Sequence, residues 1–352
     1  MKVALLGDTH IGARNDSPLF HSFFRKFYEQ TFFPYLESEG ILHIIQLGDV
    51  FDRRKYINFN TFKTSQEYLF NKLNQDYTTW ALVGNHDTYY KNTNEVNSLD
   101  LLLGGFHNIN VVNEPTEIEF EEVKFLLVPW ISDENEKRCL SAINTTDASV
   151  IVGHFEIAGF EMYKGSVCDH GMDAKVFKNH EMVLSGHFHH KSKHGNIQYL
   201  GTPYEITWSD YGDIKGFHVY DTETRSLTFV ENPHRMFHKV HYDDSNLEVA
   251  SVIDIDFQQY AESFVKLIVR GKSNPYCFDV FVDKLEKAGV YGVQVVDDHF
   301  HMDVASDEDI VSEAEDTLTI LKKHISQLDD TVDKGRLEGF MRSLYEEALS
   351  IE

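Results

Sequence analysis

The stretch "VLSGHFHHK", Val183 to Lys191, runs an apolar segment into a glycine and then places three histidines within four positions. Four more apolar runs stop the same way: "LLGDTH" (Asp8, His10), "QLGDVFD" (Asp49, Asp52), "LVGNHD" (Asn85, His86, Asp87) and "VIVGHFE" (His154). A short apolar run bounded by glycine reads as a buried strand, and glycine lets the chain turn sharply enough to project the next side chain into a crevice. Open α/β sheets bind ligands at the carboxyl ends of their strands. Five strand ends therefore aim at one place. A single strand-end aspartate is more often a helix cap or a turn former. The set carries the reading, because independent turns have no reason to keep delivering Asp, His and Asn directly after an apolar run and a glycine. Residues i and i+2 of an extended segment share a side, so His187 and His189 reach the crevice together and His190 points away to the surface. His170, in "CDHG", has no spacing that raises it above the other histidines.

Outward from these ends, short apolar runs alternate with helical stretches up to about residue 205, the pattern of an α/β layered fold. Strands are expected at Val3–Leu6, Leu42–Leu47, Trp80–Val83, Phe125–Val128, Val150–Val152, Met182–Leu184 and Ile197–Leu200. Covering helices are expected over Ser17–Glu37, rich in aromatics at helical spacing, and Phe59–Leu73. A second region, with "FVKLIVRG", "PYCFDVFVDKLEKAG" and "VYGVQVVD", reads as a small β-α-β domain. Two amphipathic segments follow, the second carrying Leu337, Phe340, Met341, Leu344 and Tyr345 at i, i+3, i+4, i+7 spacing. These give domains at 1–230, 231–306 and 307–352.

The 352 residues suffice for a sizeable core, and 42% hydrophobic with 13% aromatic residues excludes a disordered or collagen-like chain. No apolar run of about 18 residues marks a membrane span. The apolar run after Lys2 is too short for the core of a secretion signal. Three scattered cysteines (Cys139, Cys168, Cys277) argue for a reducing compartment such as the cytoplasm and against a disulfide framework or thiolate zinc site. The net charge of −25 is concentrated toward the C-terminal part and taken alone disfavours a polyanionic partner.

Carboxylate, amide oxygen and imidazole without thiolate suit hard to borderline divalent ions such as manganese, iron or zinc. Seven candidate ligands exceed what one ion needs. Two ions about 3.5 to 4 Å apart, sharing a bridging aspartate, would use them all and support in-line attack on phosphorus. Hydrolysis of a phosphate ester is the chemistry this implies.

The ordered set DxH, GDxxD, GNHD, GH and GHxH resembles the calcineurin-like metallophosphoesterases, most closely the SbcD-type nuclease subunits of double-strand-break repair complexes. The segment "YLGTPYEITWSDYGDIKGFHVYDTE" extends the resemblance beyond the last motif. The compact length and "VPW" are similar to the versions carried by T-even-type tailed bacteriophages, which would place the protein in the host cytoplasm. The resemblance implies a β-sandwich flanked by helices, a small α/β capping domain and C-terminal helices. It implies one ion held by Asp8, His10, Asp49 and His189, and a second by Asp49, Asn85, His154 and His187. His86 matches the family's catalytic histidine, which contacts the scissile phosphate and protonates the leaving oxygen. Asp52 matches a variable position, where it either orients His86 or the phosphate or simply forms a turn; Asp87 is expected to be supporting.

The resemblance further implies manganese-dependent (or magnesium-dependent) exonuclease and endonuclease action on DNA. It implies docking of the C-terminal helices on an SMC-like coiled-coil ATPase, and a homodimer for which "FHSFFRKFYEQTFF" offers aromatic surface, if the core does not use it. Arg14, Arg53, Arg54, Lys55, Lys191 and Lys193 follow the motifs and would let phosphates approach an otherwise acidic chain. The rivals are a phosphatase or cyclic-nucleotide phosphodiesterase for small esters and a scaffold that has lost catalysis. The second is disfavoured because every ligand position is filled.

Overall fold

The computed structural model describes residues 1–163, 165–245, 252, 254–297, 325, 334, 337 and 341. In chain order the strands are β1 (Lys2–Leu6), β2 (His43–Gln46), β3 (Thr78–Leu82), β4 (Ile109–Val112), β5 (Thr116–Phe120) and β6 (Val123–Val128). They continue with β7 (Val150–Gly153), the short pair β8 (Glu161–Tyr163) and β9 (Ser166–Val167), β10 (Met182–Ser185), β11 (Ser192–His194) and β12 (Ile197–Tyr199). The last are β13 (Gly216–Asp221), β14 (Ser226–Glu231), β15 (Phe237–Asp243), β16 (Phe264–Gly271) and β17 (Gly292–Asp297). Every strand anticipated from an apolar run is present.

Two six-stranded sheets form, ordered β14-β13-β1-β2-β3-β4 and β11-β12-β10-β7-β6-β5. In the first, β1 to β4 are parallel and β13 runs antiparallel to β1. In the second, β6, β7, β10 and β12 are parallel. Alternate residues explain the layering, since successive strand side chains take opposite faces. Val3, Leu5, Ile45, Leu47 and Leu82 of the first sheet meet Phe125, Leu127, Val150, Val152 and Leu184 of the second in an inter-sheet core. Their neighbours Ala4, Leu6, Ile44 and Ala81 face a helical layer, and Leu126, Ile151 and Val183 face another that contributes Cys139 and Ile143. The result is an α/β sandwich with helices on both outer faces.

The aromatic stretch is spent on this core. The helix Pro18–Phe27 passes through one wide turn, Tyr28–Phe32, into Phe33–Glu39, and ends at Gly40 in the left-handed region (φ 66°). Phe20, Phe23, Phe24, Phe27, Tyr28, Phe32 and Phe33 are all buried. Phe24 stacks on Tyr204 with ring centroids 3.9 Å apart, and the Tyr204 hydroxyl donates to the Thr9 carbonyl at 2.6 Å. The aromatic face thus braces the first motif and offers no dimer surface. The three cysteines are buried thiols, and among the described residues no helix is long and apolar enough to cross a membrane.

The third sheet is parallel and ordered β15-β16-β17, with the helix Pro275–Lys287 over it. Tyr242, Leu267, Val269, Phe278, Phe281 and Leu285 build its core. The Asn274 side chain caps the helix by accepting from the Cys277 N–H. Strand β15 was not expected: its alternation of His, Lys and apolar residues is a half-buried pattern hidden by polar content. The chain divides into units Met1–His301 and Met302–Glu352. In the second, Ile325, Lys334, Leu337 and Met341 are helical, and Leu337 and Met341 are half-buried. Phe340, Leu344 and Tyr345 lie outside the described residues.

Glu205 joins β15 to the sandwich by accepting from the N–H groups of Met236 and Phe237, while its Oε1 has no hydrogen-bond partner. Burial pushes its carboxyl from 4.5 up to about 7, against the pull of those N–H groups. The folded protein therefore holds this proton more tightly than the unfolded chain. Its stabilising contribution is complete below pH 4.5 and is lost as pH rises through 7, a loss on the order of 3 kcal/mol. Glu205→Gln keeps the acceptor and removes the ionisation. Its melting temperature is expected to match wild type near pH 5 and to exceed it at pH 8; calorimetry at both values checks this, and an unchanged difference would refute it.

Candidate metal centre

The loops after β1, β2 and β3 of one sheet and after β7 and β10 of the other bring all seven sequence-predicted ligands together. The backbone is forced there: His10 (φ 42°), Asp49 (φ 52°) and His187 (φ 83°) occupy the left-handed region that non-glycine residues rarely adopt. Such strain persists only where the surroundings over-determine it, typically at functional sites. Two glycines make room for the approach. A methyl on Gly84 would run into the backbone and carboxylate of Asp49, and one on Gly48 (φ 103°) would meet the His154 ring.

Asp8, His10, Asp49, Asn85 and His154 are buried, Asp8 and His154 completely. Ligand atoms of Asp8, His10 and Asp49 lie within 4.8 Å of one another, and so do those of Asp49, His154 and His187. Asp49 belongs to both groups. The His189 and His10 Nε2 atoms approach to 3.0 Å, placing His189 with the first group. Asn85 Oδ1 lies 2.8 Å from His154 Nε2, placing it with the second.

The hydrogen bonds show what this arrangement lacks. His154 Nδ1 lies 2.8 Å from the Leu47 carbonyl, which can only accept, so Nδ1 carries the hydrogen. The lone pair on Nε2 then faces Asn85 Oδ1 and, at 3.3 Å, Asp49 Oδ2. Three acceptors converging on one point need a cation between them. The carboxylates favour positive charge at this point: burial lowers the His154 pKa, but Asp49 and Asp8 together outweigh it and raise it to about 9. In the other group Asp8 Oδ2 is buried with no hydrogen-bond partner. Burial, reinforced by His10, pushes His189 down to about 3, so it stands neutral with a lone pair to offer. The donor set, the orphaned Asp8 oxygen and the shared Asp49 fit two divalent ions.

His86 does not join either ligand group. Its N–H donates to Asp49 Oδ1 at 2.8 Å, and its Nδ1 lies 2.6 Å from the Asp52 main-chain carbonyl. Nδ1 therefore carries the hydrogen and Nε2 is left for the site. The Asp52 carboxylate instead approaches His10 Nδ1 at 3.5 Å. Asp87 accepts from the N–H groups of Gly84, Phe51 and Val50, tying the second and third motif loops together. His190 faces Asp213 at 3.2 Å and Glu161 at 3.6 Å, away from the centre, and the exposed His170 contacts Asp169 and Glu156.

Among the cations that follow the motifs, Arg53 is held by Asp16 (2.8 Å) and Asn15 (2.7 Å) and lies over Tyr56. Lys191 Nζ sits 3.2 Å from the centroid of the Phe229 ring, and burial pushes its pKa down to about 8. Arg14 lies over Phe20. Arg54 lines a cavity of about 200 Å³ with Lys55, Tyr56 and Tyr89, and Lys55 and Lys193 are exposed. Two supports escaped the sequence reading. Trp130 places its ring 5.2 Å from His187, and Glu156 Oε1 lies 3.7 Å from His187 Nε2. "VPW" and "GHFE" were the available signals.

A family model described as calcineurin-like phosphoesterase matches residues 1–191. The chain is 32% identical over 350 residues to exonuclease subunit 1 of Enterobacteria phage T4, covering 99% of each chain. Among solved structures, an archaeal phosphodiesterase is matched over 66% of this chain and 100% of that one, with 14% identity and a TM-score of 0.35. A glutamine-dependent NAD+ synthetase from Acinetobacter baumannii is matched over 99% of this chain and 72% of that one, with 10% identity and a TM-score of 0.29.

Proposed function

The chain belongs to the calcineurin-like phosphoesterases, metal-dependent hydrolases, and from that membership we propose that it is a DNA nuclease acting through two divalent ions, most naturally manganese. The observation that carries the metal reading is the pair of ligand groups sharing Asp49. Asp8, His10, Asp49 and His189 would hold one ion, and Asp49, Asn85, His154 and His187 the other. When bound, the ions supply activation of water and charge stabilisation at phosphorus. His86, with Nδ1 tied to the Asp52 carbonyl, presents Nε2 to the site and would be the group that delivers a proton to the leaving oxygen. Asp52 acts through His10 and the His86 ring rather than on substrate. Exposed Lys55 and Lys193, with Arg54, guide the phosphate backbone, while Arg14, Arg53 and Lys191 brace the loops beside them.

DNA as substrate rests on the 32% identity to a phage exonuclease subunit along almost the whole chain. Manganese-dependent release of terminal label from linear duplex DNA, beside hydrolysis of a small aryl phosphodiester, tests it. DNA release is the expected result. Brisk ester turnover without DNA cleavage, alone and with a coiled-coil ATPase and ATP, would favour a small-substrate phosphoesterase instead.

The word subunit in that relative's name motivates a partner, proposed to be an SMC-like coiled-coil ATPase docking on the segment with Leu337, Phe340, Met341, Leu344 and Tyr345. Deleting residues 331–352 is expected to abolish association and leave metal-dependent hydrolysis; retained association contradicts it. Residues 1–230 would be the nuclease domain, 231–306 the cap and 307–352 the docking region. For a homodimer the surface is the exposed Tyr56, Phe59, Tyr90 and Leu101, the last 75% exposed, since the aromatic helix is committed to the core. A monomer in sedimentation at micromolar concentration would remove that proposal. The reducing cytoplasm of the host is the compartment proposed.

A further inference from the structure

Lys215 is a buried ammonium that no step above uses. It is 1% exposed, and its Nζ donates to the His189 carbonyl (2.8 Å), Asp210 Oδ1 (2.7 Å) and Asp213 Oδ2 (3.0 Å). Three contacts use the three hydrogens of an ammonium. Each acceptor is anchored in turn. Asp210 Oδ2 accepts from the N–H groups of Ile206 and Thr207, both at 2.9 Å, and Asp213 Oδ2 also faces His190 Nδ1 at 3.2 Å. The Thr202 N–H donates to the same His189 carbonyl at 3.2 Å. Burial disfavours the charge on Lys215, but the two aspartates outweigh it, so the ammonium stays protonated.

A buried ion triad is not in itself a gain in stability, since apolar residues of similar volume often serve as well. What an apolar side chain cannot do is grip a carbonyl from a fixed point. We propose that Lys215 is a positioning residue: by holding the main-chain carbonyl of His189, it fixes where that imidazole stands in the metal centre. His190 belongs to the same clamp through Asp213. The third histidine of the opening stretch therefore anchors the loop on one side while His189 serves the site on the other.

The proposal rests on the two-ion reading and concerns only the ion that His189 holds. Partners that orient a metal ligand are commonly worth about 10- to 100-fold in metal affinity. The full chain would be titrated with Mn2+ and followed by calorimetry and electron paramagnetic resonance. Wild type is expected to take two ions with a spin-coupled signal. Lys215→Met is expected to weaken one ion about 10- to 100-fold, leave the other unchanged and replace the coupled signal by that of an isolated ion. Lys215→Arg, which keeps a donor, recovers part of the loss. Two ions of wild-type affinity in folded Lys215→Met would overturn the proposal, as would equal weakening of both. Should that variant not fold, the triple variant Lys215→Met, Asp210→Asn, Asp213→Asn leaves no unpaired buried charge and is judged by the same outcomes. A wild type that binds no pair of ions instead overturns the two-ion reading beneath it.

Discussion

Asp49→Asn is expected to lower metal-dependent hydrolysis by about 10³-fold, because it weakens both ions at once. Metal ions supply several kcal/mol of charge stabilisation, and about 4 kcal/mol is a factor of about 10³ in rate. The substitution is isosteric, and its side-chain oxygen still accepts the His86 N–H that Asp49 Oδ1 accepts at 2.8 Å. The loops should therefore keep their places. It relieves the repulsion that, on top of burial, raises the proton affinity of Asp8. It also removes the carboxylate that pairs with His154, a pairing that, against the opposing effect of burial, holds the Asp49 pKa well below the usual carboxylate range. In the presence of chelator the variant is accordingly expected to melt below wild type while staying folded at the assay temperature. Loss of activity in a protein that circular dichroism shows to be folded under assay conditions separates a metal role from a structural one. Activity within a few-fold of wild type would exclude Asp49 as the shared ligand.

His86→Gln should separate chemistry from metal binding. The His86 ring lies outside both ligand groups and is oriented by the Asp52 carbonyl, so ion affinity is expected to stay at the wild-type level. A positioned proton donor contributes about 10²- to 10⁴-fold, and kcat on DNA should fall by that amount. An aryl ester with a nitrophenolate leaving group needs no proton, so its loss should shrink to less than about 10-fold. The comparison reads kcat for the two substrates in wild type and variant. Equal losses on both would assign His86 to phosphate binding rather than proton donation.

The seven proposed ligands could be singled out in the sequence because each follows a strand that ends at a glycine, and those strands were legible as buried apolar runs. Pairing between distant segments was not. Nothing in the sequence places β13 beside β1, or shows that Val3 and Ala4 face different cores, since both properties depend on which sheet each strand joins. The aromatic stretch Phe20–Phe33 was compatible with a core or an interface until Tyr204, far along the chain, supplied its stacking partner. Side chains that act across long separations were hidden for the same reason. Lys215 reads as an ordinary loop lysine until folding brings the His189 carbonyl to it. Asp52 reads in the sequence as either an orienting group for His86 or the phosphate or a turn former; its backbone carbonyl orients His86, a contribution no residue identity can reveal.

The most direct test is diffraction from crystals soaked in Mn2+, with data collected at the manganese absorption edge. Two anomalous peaks about 3.5 to 4 Å apart are expected, one on each side of the Asp49 carboxylate, with His189 on the first and His154 on the second. No peak at Asp49, or a single ion that leaves either ligand group unused, would contradict a two-ion phosphoesterase centre.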